Sequence, residues 1–295
     1  MPLRSIASRV QPHLQLAVVF STHVFLLSLC DIAVTASLEG KRALVGGGSK
    51  GIGLGCAIAL AEAGAEVTLM ARDTQTLDAA VESVPSPLGQ THRAISVDFA
   101  DWRSVAEAAA EDIRSNGPVV IVVNNTGGPT PGLAIDAAPL DFEAGFGMHL
   151  ITGQALVQTA TPGMKESRYG RIINIISSSV VTPLPNLGVS NTIRGAVAQW
   201  GKTLAAELAP FGITVNNVLP GSIDTSRLRI TMSGNAERTG ATVEQIEART
   251  IEAIPMGRLG EPADVGRVVA FLASPAAAYV TGVNLPVDGG KLAIQ

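Results

Sequence analysis

From Lys41 onward, short hydrophobic runs alternate with longer segments in which hydrophobic residues recur at helical spacing. The short runs are rich in leucine or β-branched residues and do not alternate with polar ones, which is typical of strands buried on both faces. Strands are predicted at 42–46, 66–71, 93–98, 119–124, 171–176, 213–219 and 283–287, and helices at 52–63, 74–84, 102–115, 142–164 and 191–209. This alternation predicts an α/β fold with a doubly wound parallel sheet of about seven strands.

No linker, internal repeat or low-complexity block interrupts the chain after residue 37, so we expect a single domain over 38–295. Residues 126–132 are rich in glycine and proline and predict a loop. Residues 221–257 form a long excursion after the sixth strand, with a helix predicted at 242–253. An excursion at this end of the sheet is well placed to cover a ligand, and its large hydrophobic residues predict an apolar lid: Leu228, Ile230, Met232 and Met256.

Residues 1–37 differ from the rest of the chain. Arg4 and Arg9 precede two hydrophobic runs, and Val34-Thr35-Ala36 resembles a small-residue cleavage site, a pattern that indicates a secretory signal. Polar residues interrupt the runs and argue against a membrane-spanning helix. The alternative is an upstream extension, with the true start of the protein near Val34. Contact with a membrane is expected only if this extension is a real anchor.

Composition excludes several functional classes. The net charge of −4 gives no basic surface for nucleic acid. The two cysteines, Cys30 and Cys56, do not make a disulfide framework, and no cysteine–histidine cluster has the spacing of a metal site. We therefore expect no metal and no nucleic-acid partner.

A glycine-rich turn, Gly47-Gly48-Ser49-Lys50-Gly51-Ile52-Gly53, joins the first predicted strand to a helix. Glycines there allow the backbone to approach a diphosphate, and the helix N-terminus adds free N–H groups and a positive dipole end. A tight turn without a ligand is the alternative. The position after the first strand favours nucleotide binding.

The Gly47-x-x-x-Gly51-x-Gly53 spacing resembles the short-chain dehydrogenase/reductase family, which has a Rossmann-like fold. The segments Asn124-Asn125-Thr126-Gly127 and Pro220-Gly221-Ser222-Ile223-Asp224-Thr225, and the C-terminal third, resemble family segments in the family's order. The resemblance covers about residues 38–291. It implies a nicotinamide coenzyme, with Asp98 near the adenine and the proline–glycine segment along the nicotinamide. The implied coenzyme-binding residues are Gly47, Ser49, Lys50, Gly51, Ile52, Gly53, Arg72, Asp98, Asn124, Thr126, Gly127, Arg194, Pro220, Gly221, Ile223 and Thr225.

The end of the second predicted strand indicates which coenzyme is preferred. An acidic residue there would hold a ribose 2′-hydroxyl, but this chain has Arg72. Its guanidinium suits a 2′-phosphate, and Lys50 adds a second cation. We therefore expect NADP(H) rather than NAD(H). A cytosolic coenzyme pool would in turn favour the cytoplasm and the extension interpretation of residues 1–37.

The resemblance also locates four catalytic positions. The family places a serine, a tyrosine, a lysine and an asparagine there, and this chain has Ser177, Ser190, Arg194 and His149. A serine hydroxyl is a far weaker acid than a phenol, and arginine stays charged, so it cannot relay protons as a lysine can. Arg194 can still hold ribose hydroxyls and stabilise negative charge. His149 is expected to titrate near pH 7, so the proton would come from His149 or from water ordered by serines 177, 178 and 190.

The set resembles a divergent branch of the family, similar to 3-oxoacyl-(acyl carrier protein) reductases but without the usual tyrosine and lysine. We expect an NADP(H)-dependent oxidoreductase acting on a ketone, a 3-oxoacyl-like substrate or the matching alcohol. The alternatives are a nucleotide-binding sensor or assembly partner without redox turnover, and a non-redox acid/base enzyme. Helices 142–164 and 191–209 carry more hydrophobic surface than one face of a sheet needs, so a homotetramer or homodimer is expected.

Overall fold

Seven strands lie side by side in one parallel sheet of the computed structural model, which describes residues 15–20, 23–28 and 36–294. The strands are β3 (Arg42–Gly46), β4 (Glu66–Ala71), β5 (Arg93–Ser96), β6 (Ile121–Asn124), β7 (Gly170–Ile175), β8 (Ile213–Pro220) and β9 (Asn284–Val287). Their order across the sheet is β5-β4-β3-β6-β7-β8-β9. The chain adds strands towards one edge up to β5 and then towards the other edge from β6, so the order of strands reverses between β3 and β6. The predicted doubly wound, Rossmann-like α/β domain is confirmed, and such folds bind ligands at the reversal point.

Helices connect the strands. They are α1 (Gly51–Glu62), α2 (Thr74–Ser83), α3 (Trp102–Asn116), α4 (Pro139–Phe146), α5 (Thr152–Ser167), α6 (Gly188–Leu208), α7 (Ser226–Thr239), α8 (Val243–Glu252) and α9 (Pro262–Ala273). Every residue of β3, β7 and β8 is buried, as the uninterrupted hydrophobic runs predict for strands covered on both faces. The sheet therefore forms the centre of the hydrophobic core.

Helices α1 and α9 cross in direct backbone contact. A Cβ atom built on Gly266 would lie 2.2 Å from the carbonyl oxygen of Gly55, and one built on Gly55 would lie 2.6 Å from the carbonyl oxygen of Pro262. No residue larger than glycine fits at these positions without a shift of backbone. This crossing fixes α1, and with it the turn that precedes α1.

The helix predicted over 142–164 is not continuous. Helix α4 starts at Pro139, a wider π-helical turn spans Gly147–Ile151, and α5 continues from Thr152. One extra residue per turn shifts the face that each following side chain presents, and such turns are frequent at functional sites. His149 lies within this turn.

The excursion after β8 contains two helices rather than the one predicted, because α7 lies ahead of α8. Of the four residues predicted to form an apolar lid, Met232 is buried, Leu228 is half-buried, and Ile230 and Met256 are exposed. None of them lines the pocket described below, and the lid stays a prediction.

The N-terminal prediction falls largely outside the described residues. Within them, β1 (Gln15–Phe20) and β2 (His23–Ser28) form a two-stranded antiparallel sheet. Among the helices of the described ranges, none is long and apolar enough to cross a membrane.

Candidate active site

The glycine-rich turn between β3 and α1 has a backbone that only glycine adopts easily. Gly47 and Gly51 have φ angles of +57° and +56°. A Cβ on Gly53 would lie 2.1 Å from the carbonyl oxygen of Gly47, so the first turn of α1 rests directly on the loop. The Asn125 side chain donates to the Gly46 carbonyl oxygen over 2.9 Å and braces the loop from β6. The result is a rigid turn with no side chain in the way of a ligand.

The N-terminus of α1 is left open. The side chain of Lys50, its first flanking residue, makes no capping hydrogen bond. In contrast, Asp73 caps α2 by accepting from the Thr76 N–H over 2.8 Å, and Asp101 caps α3. The free N–H groups of α1 and its positive dipole end therefore face the glycine turn, an arrangement that suits an anionic phosphate group.

The segment after β8 lies against this turn. A Cβ on Gly51 would lie 3.2 Å from the Thr225 side chain. Thr225 caps α7 by accepting from the Leu228 N–H, and Ile223 is buried and paired with Gly260 in a parallel bridge. Gly221, next to Pro220 at the end of β8, donates its N–H to Val287 over 2.9 Å. Two sets of predicted coenzyme residues, 47–53 and 220–225, thus meet at Gly51 and Thr225.

The two predicted cations lie on the exposed side of the turn. Lys50 and Arg72 are both exposed, and neither forms an ion pair within the part of the chain that the structure describes. Hydrogen bonds from Thr76 hold the pKa of Asp73 below its usual value, and attraction from Lys50 adds to this effect, so Lys50 lies close to the β4–α2 turn. Asp98 lies two residues beyond the end of β5, is exposed, and accepts from the Ala100 N–H over 3.0 Å.

A pocket opens at the carboxyl ends of β6 and β7. It brings together four of the predicted site residues, Asn124, Thr126, His149 and Arg194, but neither Ser177 nor Ser190 is in its lining. The lining residues are Phe99, Asn124, Asn125, Thr126, Met148, His149, Gly153, Leu156, Ile175, Arg194 and Val197. Phe99 lines the pocket but was not predicted as a site residue. Its ring would lie 3.0 Å from a Cβ atom built on Gly46. Its position just after β5 was the one signal in the sequence that could have identified it.

His149 is buried, and burial lowers its pKa to about 2, with repulsion from Arg194 contributing and a backbone hydrogen bond with Gly127 opposing. The expectation that His149 titrates near pH 7 is therefore wrong. The Gly127 contact favours the protonated ring, as a carbonyl acceptor does. Nε2 is buried without a hydrogen-bond partner in the described part of the chain. A neutral ring of this kind accepts hydrogen bonds but does not supply a proton at neutral pH.

Arg194 lies on α6 with only 9% of its surface exposed. One guanidinium nitrogen, Nη1, donates to the Ile175 carbonyl oxygen over 2.9 Å at the end of β7. Burial, with repulsion from Arg227, lowers the pKa of Arg194 to about 10, so it remains a cation at neutral pH. No carboxylate lies within 4 Å of it among the described residues.

The serines flank the pocket. Ser177 lies just after β7, and its hydroxyl accepts from the Ser179 N–H over 3.1 Å. Ser190 lies in the first turn of α6, one turn before Arg194, and is half-buried. Ser179 is buried, and its hydroxyl has no partner among the described residues. Hydroxyl groups at these points are able to order water beside the pocket.

A row of four asparagines crosses the sheet beside the pocket: Asn124, Asn174, Asn217 and Asn284, on β6 to β9. Each donates its side-chain N–H to the carbonyl oxygen of the next, over 2.9, 2.9 and 2.8 Å. Asn217 also donates to the Ala198 carbonyl, which can only accept, and this fixes the direction of the row. Asn124 therefore presents an unpartnered, buried Oδ1 atom. The strand register pairs Asn124 with Asn174, Asn174 with Asn217 and Asn217 with Asn284, so the four side chains lie side by side.

No pattern in the sequence points to Arg227, in the first turn of α7. Its Nη2 donates to the Pro129 carbonyl oxygen across 98 residues of chain, and a Cβ on Gly128 would lie 3.4 Å from that nitrogen. The start of α7 is thereby connected to loop 126–132 above the pocket.

Comparisons with known proteins agree with this geometry. A family model described as Enoyl-(Acyl carrier protein) reductase matches residues 47–291. The 3-oxoacyl-[acyl-carrier-protein] reductase FabG of Vibrio cholerae is 36% identical over 261 residues, or 88% of this chain and 100% of the relative. An uncharacterized oxidoreductase of Mycobacterium tuberculosis is 33% identical over 254 residues, or 86% of this chain and 92% of the relative. The structure of L-sorbose reductase from Gluconobacter frateurii, complexed with NADPH and L-sorbose, has a TM-score of 0.82 at 28% identity and covers 88% of this chain and 98% of that one.

Proposed function

Because the chain belongs to the short-chain dehydrogenase/reductase family of oxidoreductases, we propose that it is an NADP(H)-dependent enzyme that reduces a ketone or 3-oxoacyl-like carbonyl, or oxidises the matching alcohol. One observation carries the proposal: the backbone of the glycine turn, with Gly53 resting on Gly47, is shaped for a diphosphate beside the uncapped end of α1. L-sorbose reductase, which shares the fold, is complexed with NADPH.

The residues present fit this coenzyme. Gly47 and Gly51 supply a side-chain-free cradle for the diphosphate, and Lys50 and Arg72 offer two exposed cations for a 2′-phosphate. Asp73, the residue after Arg72, is turned back onto its own helix as a cap, so it does not serve a ribose 2′-hydroxyl.

The catalytic role of the pocket follows from charge. When bound, the coenzyme would supply a hydride to the carbonyl carbon. Arg194 would hold ribose hydroxyls and stabilise the negative charge that develops on the carbonyl oxygen, because it remains a cation in a buried position. His149 stays neutral and acts as a hydrogen-bond acceptor. The proton therefore comes from water, held beside the pocket by the hydroxyls of Ser177, Ser178 and Ser190.

Binding and turnover are measured separately. Titration of the protein with NADPH and NADH, followed by coenzyme fluorescence, should show saturable binding with NADPH preferred. Replacing Lys50 and Arg72 together with alanine should weaken NADPH binding by about a hundredfold or more and leave NADH binding almost unchanged, since each charge-assisted contact contributes about 1.5–3 kcal/mol. Arg267→Ala, an exposed arginine paired with Asp264, is the control. Absence of saturable binding by either coenzyme would refute the proposal.

A second candidate function is nucleotide binding without redox turnover, as a sensor or assembly partner. Ser190 favours it, because an aliphatic hydroxyl stands where the resemblance places a phenol. A panel of ketones distinguishes the two functions: coenzyme binding without oxidation of NADPH by any ketone supports the second. The pair Ser190→Tyr and Arg194→Lys should create or raise reductase activity on the same scaffold.

We also propose a homo-oligomer, a dimer or tetramer, formed through the region of α4 to α6. Leu140 and Ile151 in this region are 70% and 43% exposed. Light scattering after size-exclusion chromatography should give a mass of two or four chains, and a single-chain mass would refute this.

A further inference from the structure

The pocket is lined by one guanidinium group, that of Arg194, and by no carboxylate, and a second guanidinium group, that of Arg227, lies nearby outside the lining. Arg194 is buried and commits one nitrogen, Nη1, to the carbonyl oxygen of Ile175. Its other guanidinium nitrogens have no hydrogen-bond partner among the described residues, yet they are not enclosed by protein, so they border the pocket. Arg194 therefore has donors directed into the space where a ligand would bind.

Arg227 contributes the second charge. It is close enough to Arg194 to repel it, which adds to the effect of burial on the pKa of Arg194. Its position is fixed by the hydrogen bond to the carbonyl oxygen of Pro129 and by its contact with Gly128. The nearest acidic residue along the chain, Asp224, is paired with Arg229 at 2.8 Å and does not neutralise it.

The other polar atoms of the pocket do not supply a counter-charge. His149 is neutral, and the free Oδ1 of Asn124 belongs to an uncharged amide. A buried cation without a counter-ion is costly, and a carboxylate matches the planar fork of a guanidinium. The pocket thus lacks one anion, and the described part of the chain does not provide it.

We propose that the substrate is a small oxo acid, whose carboxylate binds between Arg194 and Arg227 while its carbonyl oxygen lies against Arg194. This inference rests on the proposed oxidoreductase function for the reaction, but the binding of the acid does not depend on turnover. The Arg194 guanidinium then binds the carboxylate and also stabilises the carbonyl oxygen of the substrate. Because one side chain contacts both, the carboxylate and the carbonyl group must lie close together on the substrate.

Three five-carbon ketones test the requirement for charge. They are 2-oxopentanoate, with the carboxylate next to the carbonyl; 4-oxopentanoate, with the carboxylate two carbons farther away; and 2-pentanone, without a carboxylate. With saturating NADPH, we expect kcat/KM for 2-oxopentanoate to exceed that for 2-pentanone by about tenfold or more, with 4-oxopentanoate between them. Equal kcat/KM values for the acids and 2-pentanone would overturn the proposal while leaving the oxidoreductase function intact.

Variants identify the residue responsible. Arg227→Gln should remove most of the preference for the acid, and Arg227→Lys should keep part of it. Arg229→Gln is the matched control, because Arg229 lies on the same helix and is exposed, but its charge is already paired with Asp224. A preference for the acid that survives Arg227→Gln unchanged would contradict the assignment of Arg227.

Binding is also measured without turnover, by calorimetric titration of the coenzyme-free and NADP⁺-loaded protein with 2-oxopentanoate. Heat that saturates for 2-oxopentanoate but not for 2-pentanone, and that is lost in Arg227→Gln, supports the proposal even if no ketone is reduced; in that case only the oxidoreductase function fails. If Arg227→Gln weakens NADPH binding and leaves 2-oxopentanoate unaffected, the missing anion is a phosphate of the coenzyme and the proposal is wrong.

Discussion

The buried, neutral His149 predicts that the protein loses stability in mild acid. In the unfolded chain this imidazole has a pKa of 6.5, whereas burial lowers the folded-state pKa to about 2. Between these values the unfolded chain binds a proton that the folded chain excludes. The contribution of His149 to the free energy of unfolding is therefore complete above about pH 6.5, and it is lost as the pH falls through the range between the two pKa values.

The size of the loss follows from the separation of the two pKa values. Each pH unit below 6.5 costs about 1.4 kcal/mol, so about 2 kcal/mol is lost at pH 5 relative to pH 7.5. This is a substantial share of a typical stability of about 5–15 kcal/mol. Other groups also titrate over this range, so the effect must be isolated by comparison with a variant that has no imidazole at this position.

The assay is urea unfolding of the native protein and of His149→Gln at both pH values. The native protein should lose about 2 kcal/mol more than the variant between pH 7.5 and pH 5. The imidazole proton signals of His149 in NMR spectra should also stay constant from pH 8 to pH 5. An equal loss in both proteins, or an NMR titration with a midpoint near 6.5, would refute the argument and restore His149 as a proton donor.

Two further predictions concern backbone contact and ion pairing. Gly53→Ala should abolish measurable NADPH binding and lower stability by about 1–3 kcal/mol, since its methyl group would lie 2.1 Å from the carbonyl oxygen of Gly47. Fluorescence titration and thermal unfolding check this, with Gly234→Ala, where a methyl group meets no other atom within 4 Å, as the control. Native NADPH binding by Gly53→Ala would contradict the prediction. Asp112→Ala should cost about 3–5 kcal/mol in urea unfolding, because it removes the carboxylate that lies 2.6 Å from Nη2 of the buried Arg42 and leaves only Glu66, at 4.0 Å from Nε. A loss below about 1 kcal/mol would show that Glu66 compensates for Asp112.

The sheet could be predicted from the sequence because burial on both faces leaves a direct pattern. The bounds predicted for β3 and β4 match the structure to the residue, and the other strands match within two residues. Helix α7 was missed for the opposite reason: in its 14 residues only Met232 and Ala236 are buried, so it has no hydrophobic stripe to detect. The break between α4 and α5 was missed because both helices are apolar and a single π-helical turn changes the period by one residue.

The glycine turn could be predicted from the sequence better than the environment of the pocket residues. Gly47 and Gly53 could be identified from a short stretch of sequence, because the turn in which they lie requires glycine. The pKa of His149 depends instead on how deeply a π-helical turn is buried, and Arg227 acts through a contact with Pro129 at a distance of 98 residues in the chain. Neither property is encoded in a short stretch of sequence.

The asparagine row makes the polarity of the pocket a collective property of four strands. Turning a single amide by 180° would set two N–H groups or two oxygens against each other, so no member reverses alone. Asn284, on the outermost strand, thereby helps to decide which atom Asn124 shows to a ligand three strands away. The hydrogen-bonding character of the pocket at the centre of the sheet is accordingly sensitive to changes at its edge.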